Sequence, residues 1–248
     1  MTLAALVPSM TEAIDHKNLD EGRPLRIEDA YAIAEGEWEI ELGSGLADHR
    51  DSRTRALFST DFVYGLWKNL QVSVGTTVST EPRKIEDPSK SGDLKVSALY
   101  NFNEETLILP AFGMRVTGNF PTGTNSSGVD VRVKGLVSRS YERLTLYFNP
   151  AYEVFSSTAP NQRDGRFDVA VGASYPLGAP SHTRTTVLAD VFSRQSILRG
   201  QSSIEGMECG VRYQWTPWTV LDAAVGSEFS GSAERTPFFL FVGLSVAF

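Results

Sequence analysis

The segment Leu70-Gln71-Val72-Ser73-Val74-Gly75-Thr76-Thr77-Val78-Ser79 decides the fold class of this 248-residue chain. Apolar or β-branched residues occupy every second position, and the positions between them hold glycine or small polar residues. A helix would mix the two sets around its circumference, whereas a strand places each set on its own face. The segment Glu37-Trp38-Glu39-Ile40-Glu41-Leu42 repeats the pattern with three glutamates on the second face. This alternation predicts β-strands.

The same alternation continues to the C-terminus in stretches of roughly ten residues, separated by polar, Gly, Pro or Asn residues. It predicts about twelve strands, near residues 37–47, 55–66, 70–80, 92–102, 106–120, 129–139, 144–155, 166–175, 183–194, 203–215, 219–229 and 237–248. Connections after even-numbered strands are mostly short, and those after odd-numbered strands are usually longer and more polar. In an antiparallel meander this parity gathers the long loops at one end, as in outer-membrane β-barrels.

The composition argues against several other classes of protein. The chain has 23 Lys and Arg against 30 Asp and Glu, a net charge of −7, which argues against a nucleic-acid partner. Its 41% hydrophobic content is too high for a disordered chain, and a single cysteine builds no disulfide framework. No run of 18 apolar residues exists to form a membrane-spanning helix. The mean hydropathy of −0.17 is typical of soluble proteins, but the alternating strands of a membrane barrel average to similar values.

The two faces of the predicted strands indicate where lipid lies. One face collects aromatic and aliphatic residues in a belt that would be a very large exposed patch on a soluble monomer. We therefore predict an all-β transmembrane antiparallel up-and-down β-barrel in the bacterial outer membrane, with this belt facing lipid. The other face is charged and is predicted to line the lumen and set pore selectivity, through Glu37, Glu39, Glu41, Asp61, Lys95, Arg115, Asp130, Arg132, Lys134, Asp168, Glu208, Arg212 and Asp222.

The C-terminal strand is predicted to close the barrel. Lipid offers no partner to backbone N–H and C=O groups, so the last strand must pair with the first. This strand ends on an aromatic residue, in step with a ladder of apolar positions that resembles the signal read by the bacterial barrel-assembly machinery: Val242, Leu244, Val246 and Phe248. The expected partners are thus outer-membrane lipid and lipopolysaccharide, this machinery and a small-molecule solute, with no nucleic acid.

Several stretches resemble the outer-membrane β-barrel transporter family labelled "MetA-pathway of phenol degradation". They comprise residues 22–33, Asn119–Gly123, Val133–Gly135, Tyr213–Gly226 and the terminal strand. Together they extend over about residues 22–248, in matching order and spacing. The resemblance implies uptake of aromatic compounds and brings no catalytic residue with it.

The N-terminal region differs from the rest of the chain, because residues 1–35 lack strict alternation. We predict a lead-in over residues 1–35 and a barrel over residues 36–248. The start has an apolar character but no Lys or Arg ahead of it, which suggests a truncated signal remnant followed by a periplasmic segment. Whether the part from Pro24 to Ile33 lies in the periplasm or folds into the mouth of the lumen is left open by the sequence.

The function predicted from these features is the passive passage of small solutes, with aromatic or other hydrophobic compounds as one class. One alternative is a lipid-modifying enzyme of the phospholipase or deacylase type, with a Ser–His pair on the barrel wall. The three histidines, His16, His49 and His182, all lie outside the strand interiors, so no catalytic residue is assigned. No His and Cys cluster has metal-ligand spacing, and no cofactor motif is present. Another alternative is a structural barrel that the N-terminal region plugs.

Overall fold

The computed structural model describes residues 15–48, 54–80, 91–124, 126–179, 182–231 and 235–248. These residues form twelve β-strands: β1 Trp38–Asp48, β2 Thr54–Trp67, β3 Leu70–Ser79, β4 Leu94–Asn103, β5 Ala111–Phe120, β6 Asp130–Tyr141, β7 Leu144–Val154, β8 Gly165–Leu177, β9 Thr185–Arg194, β10 Ile204–Thr216, β11 Thr219–Ser230 and β12 Phe238–Ala247. The described part of the chain contains no helix long and apolar enough to cross a membrane.

Each strand pairs antiparallel with its neighbours in sequence, and β12 pairs with β1 to close the barrel. The closing ladder runs from the pair Glu39 and Ala247 to the pair Asp48 and Phe238. The prediction of a twelve-stranded up-and-down barrel is therefore confirmed.

Connections of two residues join β2 to β3, β6 to β7 and β10 to β11, all at one end of the barrel. We call this the short-turn end, which in outer-membrane barrels faces the periplasm. β3 ends and β4 begins at the opposite end, and most of the other longer connections also join their strands there, as the parity of the sequence predicts.

The outer surface carries an apolar belt with aromatic residues at both ends. All four tryptophans lie at the short-turn end. The opposite end also carries exposed aromatic residues, namely Phe58, Phe120, Phe167, Phe229 and Phe238. Aromatic girdles of this kind mark the two interfaces of a bilayer in transmembrane barrels. The closed sheet and its apolar outer face place the chain in the bacterial outer membrane.

The start of β5 differs from the prediction, since the strand begins at Ala111 instead of residue 106. The residues before it form a loop, in which the guanidinium of Arg139 donates hydrogen bonds to the carbonyls of Thr106 and Leu107 at 2.6 and 2.7 Å. The side chain of Asn103 also donates to the carbonyl of Pro110 at 2.9 Å. These side-chain hydrogen bonds take the place of the backbone pairing that the alternating sequence predicted for residues 106–110. Proline at position 110 also has no N–H to donate to a neighbouring strand.

Candidate functional site

Residues 15–36, called the lumenal segment below, lie inside the barrel. The segment turns back on itself at an antiparallel bridge between Asp20 and Arg23. The backbone N–H of Asp29 then donates to the carbonyl of Leu19 at 3.4 Å, which joins the two limbs. At the short-turn end, Gly36 donates to the carbonyl of Gly65 at 2.8 Å just before the chain enters β1. The segment therefore fills space that a strand-only barrel would leave to solvent.

Arg26 of the lumenal segment binds an acidic patch on β9, β10 and β11. Its Nε donates to Glu208 at 2.9 Å, and its Nη2 lies 3.4 Å from Glu228. Its backbone N–H donates to both Glu208 and Asp190, at 2.9 and 3.1 Å. The guanidinium also stacks on the ring of Phe192, with Cζ 3.9 Å from the centroid. One arginine thus satisfies several wall carboxylates at once.

Arg23 binds the adjacent closure region of the barrel, on β1, β11 and β12. Its Nη1 donates to the carbonyl of Leu42 at 2.9 Å, and its Nη2 donates to Ser245 Oγ at 2.5 Å. Glu41 and Asp222 lie 3.7 and 3.6 Å from its guanidinium. Because Arg23 is almost fully buried, these carboxylates supply the counter-charge that water would otherwise supply.

The acids of the lumenal segment face the basic side of the wall. Glu28 is completely buried, and it accepts from Arg115 Nε at 2.5 Å and from Lys134 Nζ at 2.9 Å. Glu21 lies 3.8 Å from Lys95 and 3.7 Å from Arg115. Burial alone would raise the pKa of the Glu21 carboxyl, but Lys95 and Arg115 outweigh it and lower that pKa to about 2. Glu21 therefore stays ionised against the basic wall.

Wall side chains also satisfy the backbone of the lumenal segment. The amide of Asn149 accepts from the N–H of Glu28 at 2.7 Å and donates to its carbonyl at 3.1 Å. Ser138 accepts from the N–H of Ala30, and Asn101 donates to the carbonyl of the same residue. The lumenal segment is not part of the sheet, so no neighbouring strand supplies hydrogen-bond partners for its backbone. These polar side chains of the wall supply them instead.

Apolar residues pack the lumenal segment at two places. Leu19, Leu25 and Ile27 form a buried cluster with wall residues Tyr147, Ala170, Leu188, Phe192 and Ala224. Ala30 packs with Leu99, Ala111 and Leu136 in a second cluster nearer the short-turn end. The interior of this barrel is therefore a packed core as well as a polar surface.

Most of the residues predicted from sequence to line the lumen have inward positions in their strands. Nine of them are buried: Glu39, Glu41, Asp61, Arg115, Asp130, Lys134, Glu208, Arg212 and Asp222. Lys95, Arg132 and Asp168 are partly buried, and Lys95 contacts Asp61 at 2.8 Å. Glu37 precedes β1, and its carboxylate accepts from the N–H of Ala34 at 3.1 Å in the entry turn. The role of these residues in pore selectivity stays a prediction.

Arg132 forms its ion pairs with other residues of the barrel wall. Its guanidinium contacts Asp168 at 2.8 Å and Glu153 at 3.8 Å. Arg166 binds the same Glu153 carboxylate at 2.8 Å. This group of charges on β6, β7 and β8 is accessible to a solute, since Arg132 and Asp168 keep part of their surface exposed.

The two histidines that the structure describes, His16 and His182, both lie outside the strands. His16 lies at the short-turn end, where its Nδ1 is 3.2 Å from Gln214 Oε1 and 3.1 Å from an Asp15 oxygen. His182 is exposed in the connection between β8 and β9, and His49 lies outside the described residues. His16 therefore contacts an amide and a carboxylate, as a structural histidine does.

The charged residues of the lumenal segment escaped prediction, namely Asp20, Glu21, Arg23, Arg26 and Glu28. Both signs of charge occur within these nine residues. Leu19 precedes them, Leu25 and Ile27 lie among them, and all three apolar side chains are buried. This combination of charges and large apolar residues was the signal that the sequence offered, because a water-exposed linker rarely contains both.

No family model and no curated protein matches the sequence. The resemblance to the phenol-degradation transporter family accordingly remains a prediction. Similar solved structures include an outer membrane channel from Pseudomonas putida F1, with 14% identity and a TM-score of 0.62 over 89% of this chain and 98% of that one. The NanC porin has 12% identity and a TM-score of 0.61 over 84% and 98% of the two chains. The CymD monoaromatic hydrocarbon channel has 11% identity and a TM-score of 0.50 over 87% and 89%.

The chain thus has the fold of a bacterial outer-membrane β-barrel. At these identities the likeness defines the fold and leaves the solute and the mechanism to the residues of this chain.

We expect Gly113→Val to displace the lumenal segment. Gly113 faces the lumen on β5, and a Cβ at this position would lie 2.9 Å from the carbonyl oxygen of Ala30. Trypsin should then cleave after Arg26 about tenfold faster than in the parent protein, because the segment opens more often. Mass spectrometry of the released N-terminal fragment measures the rate.

The matched control is Gly118→Val on the same strand, where the nearest atom to a Cβ is 3.4 Å away. Heat-modifiable gel migration verifies that both barrels fold. Equal protection of Arg26 in the two variants would contradict close packing of the segment at Gly113.

Proposed function

We propose that this protein is an outer-membrane channel for the passive passage of small solutes, and that the lumenal segment closes it in the arrangement described. The observation that carries the proposal is the complementary charge of segment and wall. Arg23 and Arg26 occupy acidic surfaces, while Glu21 and Glu28 occupy a basic one. These contacts are non-covalent, so a channel is available once they separate.

The charged wall supports a transport role over a purely structural one. A barrel that only had to be stable would gain little from buried ion pairs, since their desolvation cost offsets much of their attraction. A charged lumen instead suits the passage of hydrated or ionic solutes, for which rings of charge set selectivity. The CymD structure is that of a monoaromatic hydrocarbon channel. Aromatic solutes stay a prediction for this chain that depends on the family resemblance.

Deletion of residues 15–33 should produce channels where the full chain is closed. The deletion removes Arg23, Arg26, Glu21 and Glu28 of the lumenal segment. Residues 34–37 remain and lead into β1. Single-channel recording in planar bilayers should then show steps of higher conductance than the full chain gives. Heat-modifiable migration of each preparation verifies that the barrel has folded.

Lys17→Ala is the matched control, because its side chain is exposed and its neighbour Asp15 is its ionic contact, at 3.7 Å. It should leave conductance as in the parent. If the folded deletion variant conducts no better than the parent, the protein is a structural barrel and the proposal fails.

Charge reversal at Arg132 should shift the channel towards cations. In the Arg132→Glu variant the partly exposed guanidinium is replaced by a third carboxylate beside Asp168 and Glu153. The reversal potential in a potassium chloride gradient should move in the direction of cation preference. The measurement uses the deletion variant, in which the lumen is open.

Arg199→Glu provides the same change of charge on an exposed loop side chain, where Arg199 contacts Asp164 at 3.3 Å. It should leave the reversal potential unchanged. A potential that is the same for both reversals would show that Arg132 does not govern selectivity.

We further propose that the C-terminal strand is the part of the chain read by the barrel-assembly machinery. Val242 and Phe248 expose their side chains, and the N–H of Phe248 donates to the carbonyl of Trp38 at 2.9 Å. Phe248→Ala should lower the amount of heat-modifiable protein in isolated outer membranes. Refolding of the same variant into detergent should stay normal, because the closing ladder ends at Ala247.

A strong loss of refolding in detergent would assign Phe248 to barrel stability instead. Outer-membrane lipid and lipopolysaccharide remain predicted partners.

A further inference from the structure

Three carboxylates meet between the lumenal segment and the first strand. Asp20 belongs to the segment, while Glu39 and Glu41 are successive lumen-facing residues of β1. One oxygen from each of the three lies within 4.8 Å of the others, and both glutamates are buried. Like charges at this spacing repel strongly where water is scarce, so something must compensate them.

One buried oxygen of this cluster has no hydrogen-bond partner among the described residues. Glu39 is 4% exposed, and its Oε1 has no hydrogen-bond partner. A buried carboxylate oxygen without a partner loses its hydration and gains nothing in return. Because the Glu39 carboxylate lies beside two further carboxylates, its unpartnered oxygen is available to bind a cation.

The charges around the cluster leave a defined excess. Arg212 lies 2.9 Å from Asp20, and Arg23 lies 3.7 Å from Glu41. Arg23 also contacts the fourth carboxylate of this region, that of Asp222, at 3.6 Å. Four carboxylates therefore face two guanidinium groups, which leaves two negative charges.

The next wall cation is already engaged elsewhere. Lys95 lies 2.8 Å from Asp61 and so neutralises a different carboxylate. The excess at the cluster equals the charge of one divalent cation.

We propose that Asp20, Glu39 and Glu41 bind a divalent cation, Ca²⁺ in particular. All three ligands are hard oxygen donors, and no nitrogen or sulfur ligand belongs to the set, which disfavours Zn²⁺ and Cu²⁺. Ca²⁺ binds oxygens at about 2.3–2.6 Å, so two ligands of one ion stand up to about 5 Å apart. Ca²⁺ also accepts irregular geometry, whereas Mg²⁺ requires a near-ideal octahedron at shorter distances.

The position of the site gives the cation a mechanical role. Its ligands come from two parts of the chain, the lumenal segment and the barrel wall. A bound ion therefore ties Asp20 to β1 and stabilises the segment inside the lumen. Removal of the ion leaves repulsion between Asp20 and the two glutamates, which pushes the segment away from the wall.

The test is calorimetric titration of Ca²⁺ into the full-length protein, refolded in detergent without lipopolysaccharide and treated with EDTA. The parent should bind one ion per chain. Asp20→Asn and Glu39→Gln should each weaken binding by about tenfold or more, since each removes a charged ligand. Glu153→Gln is the matched control, a buried wall glutamate on β7 that is already paired with Arg166 at 2.8 Å.

Asp20→Asn keeps the test decisive even if Glu39→Gln prevents folding, because Asp20 lies outside every strand. Absence of Ca²⁺ binding by the parent would overturn the proposal and assign the excess charge to bound protons. Binding that is equally strong in the parent and in Asp20→Asn would also overturn it. Binding is measured without conductance, so this result is independent of whether the protein is a channel.

Discussion

The need to satisfy every backbone N–H and C=O group in hydrocarbon governs the rest of this structure. It forces β12 to pair with β1, and the closed sheet then divides each strand into a lipid face and an inner face. The lipid face has to be apolar, so the charged residues of the chain collect inside. A narrow interior with this many charges needs counter-charges at short range, and the lumenal segment supplies several of them.

The lumenal segment and the wall are matched in detail as well as in sign. Arg26 satisfies carboxylates on β9, β10 and β11, while Glu28 bridges Arg115 and Lys134 on the other side. Removing one member of such a buried pair typically costs about 3–5 kcal/mol, because the other charge is left without a partner. Separation of the whole segment avoids part of that cost, since water enters the lumen as the charges part. In the proposed channel, the same contacts would hold the closed state tightly and still permit a hydrated open one.

The barrel could be predicted from the two-residue periodicity of its strands. The lumenal segment has no such periodicity, so its position could not be predicted in the same way. The alternation along Leu70–Ser79 arises because successive side chains point to opposite faces of the sheet. Every strand of the barrel has the same two faces, so every strand shows a similar pattern. The contacts of Glu28 with Asn149, Arg115 and Lys134 join residues about 90 to 120 positions apart, at no repeated spacing. Such contacts depend on the final position of each strand, which no local pattern encodes. The start of β5 was mispredicted for a related reason, since Arg139 on the neighbouring strand holds the loop that precedes it.

The lumenal segment begins and ends at one mouth of the barrel. His16 binds Gln214 beside the β10–β11 turn, and Gly36 binds Gly65 beside the β2–β3 turn. A chain that passes in and out by the same opening is not threaded through the ring of strands. Residues 15–36 can therefore leave through that mouth with no strand separated from its neighbour. In the proposed channel, a pull on this segment from the short-turn end would open the lumen.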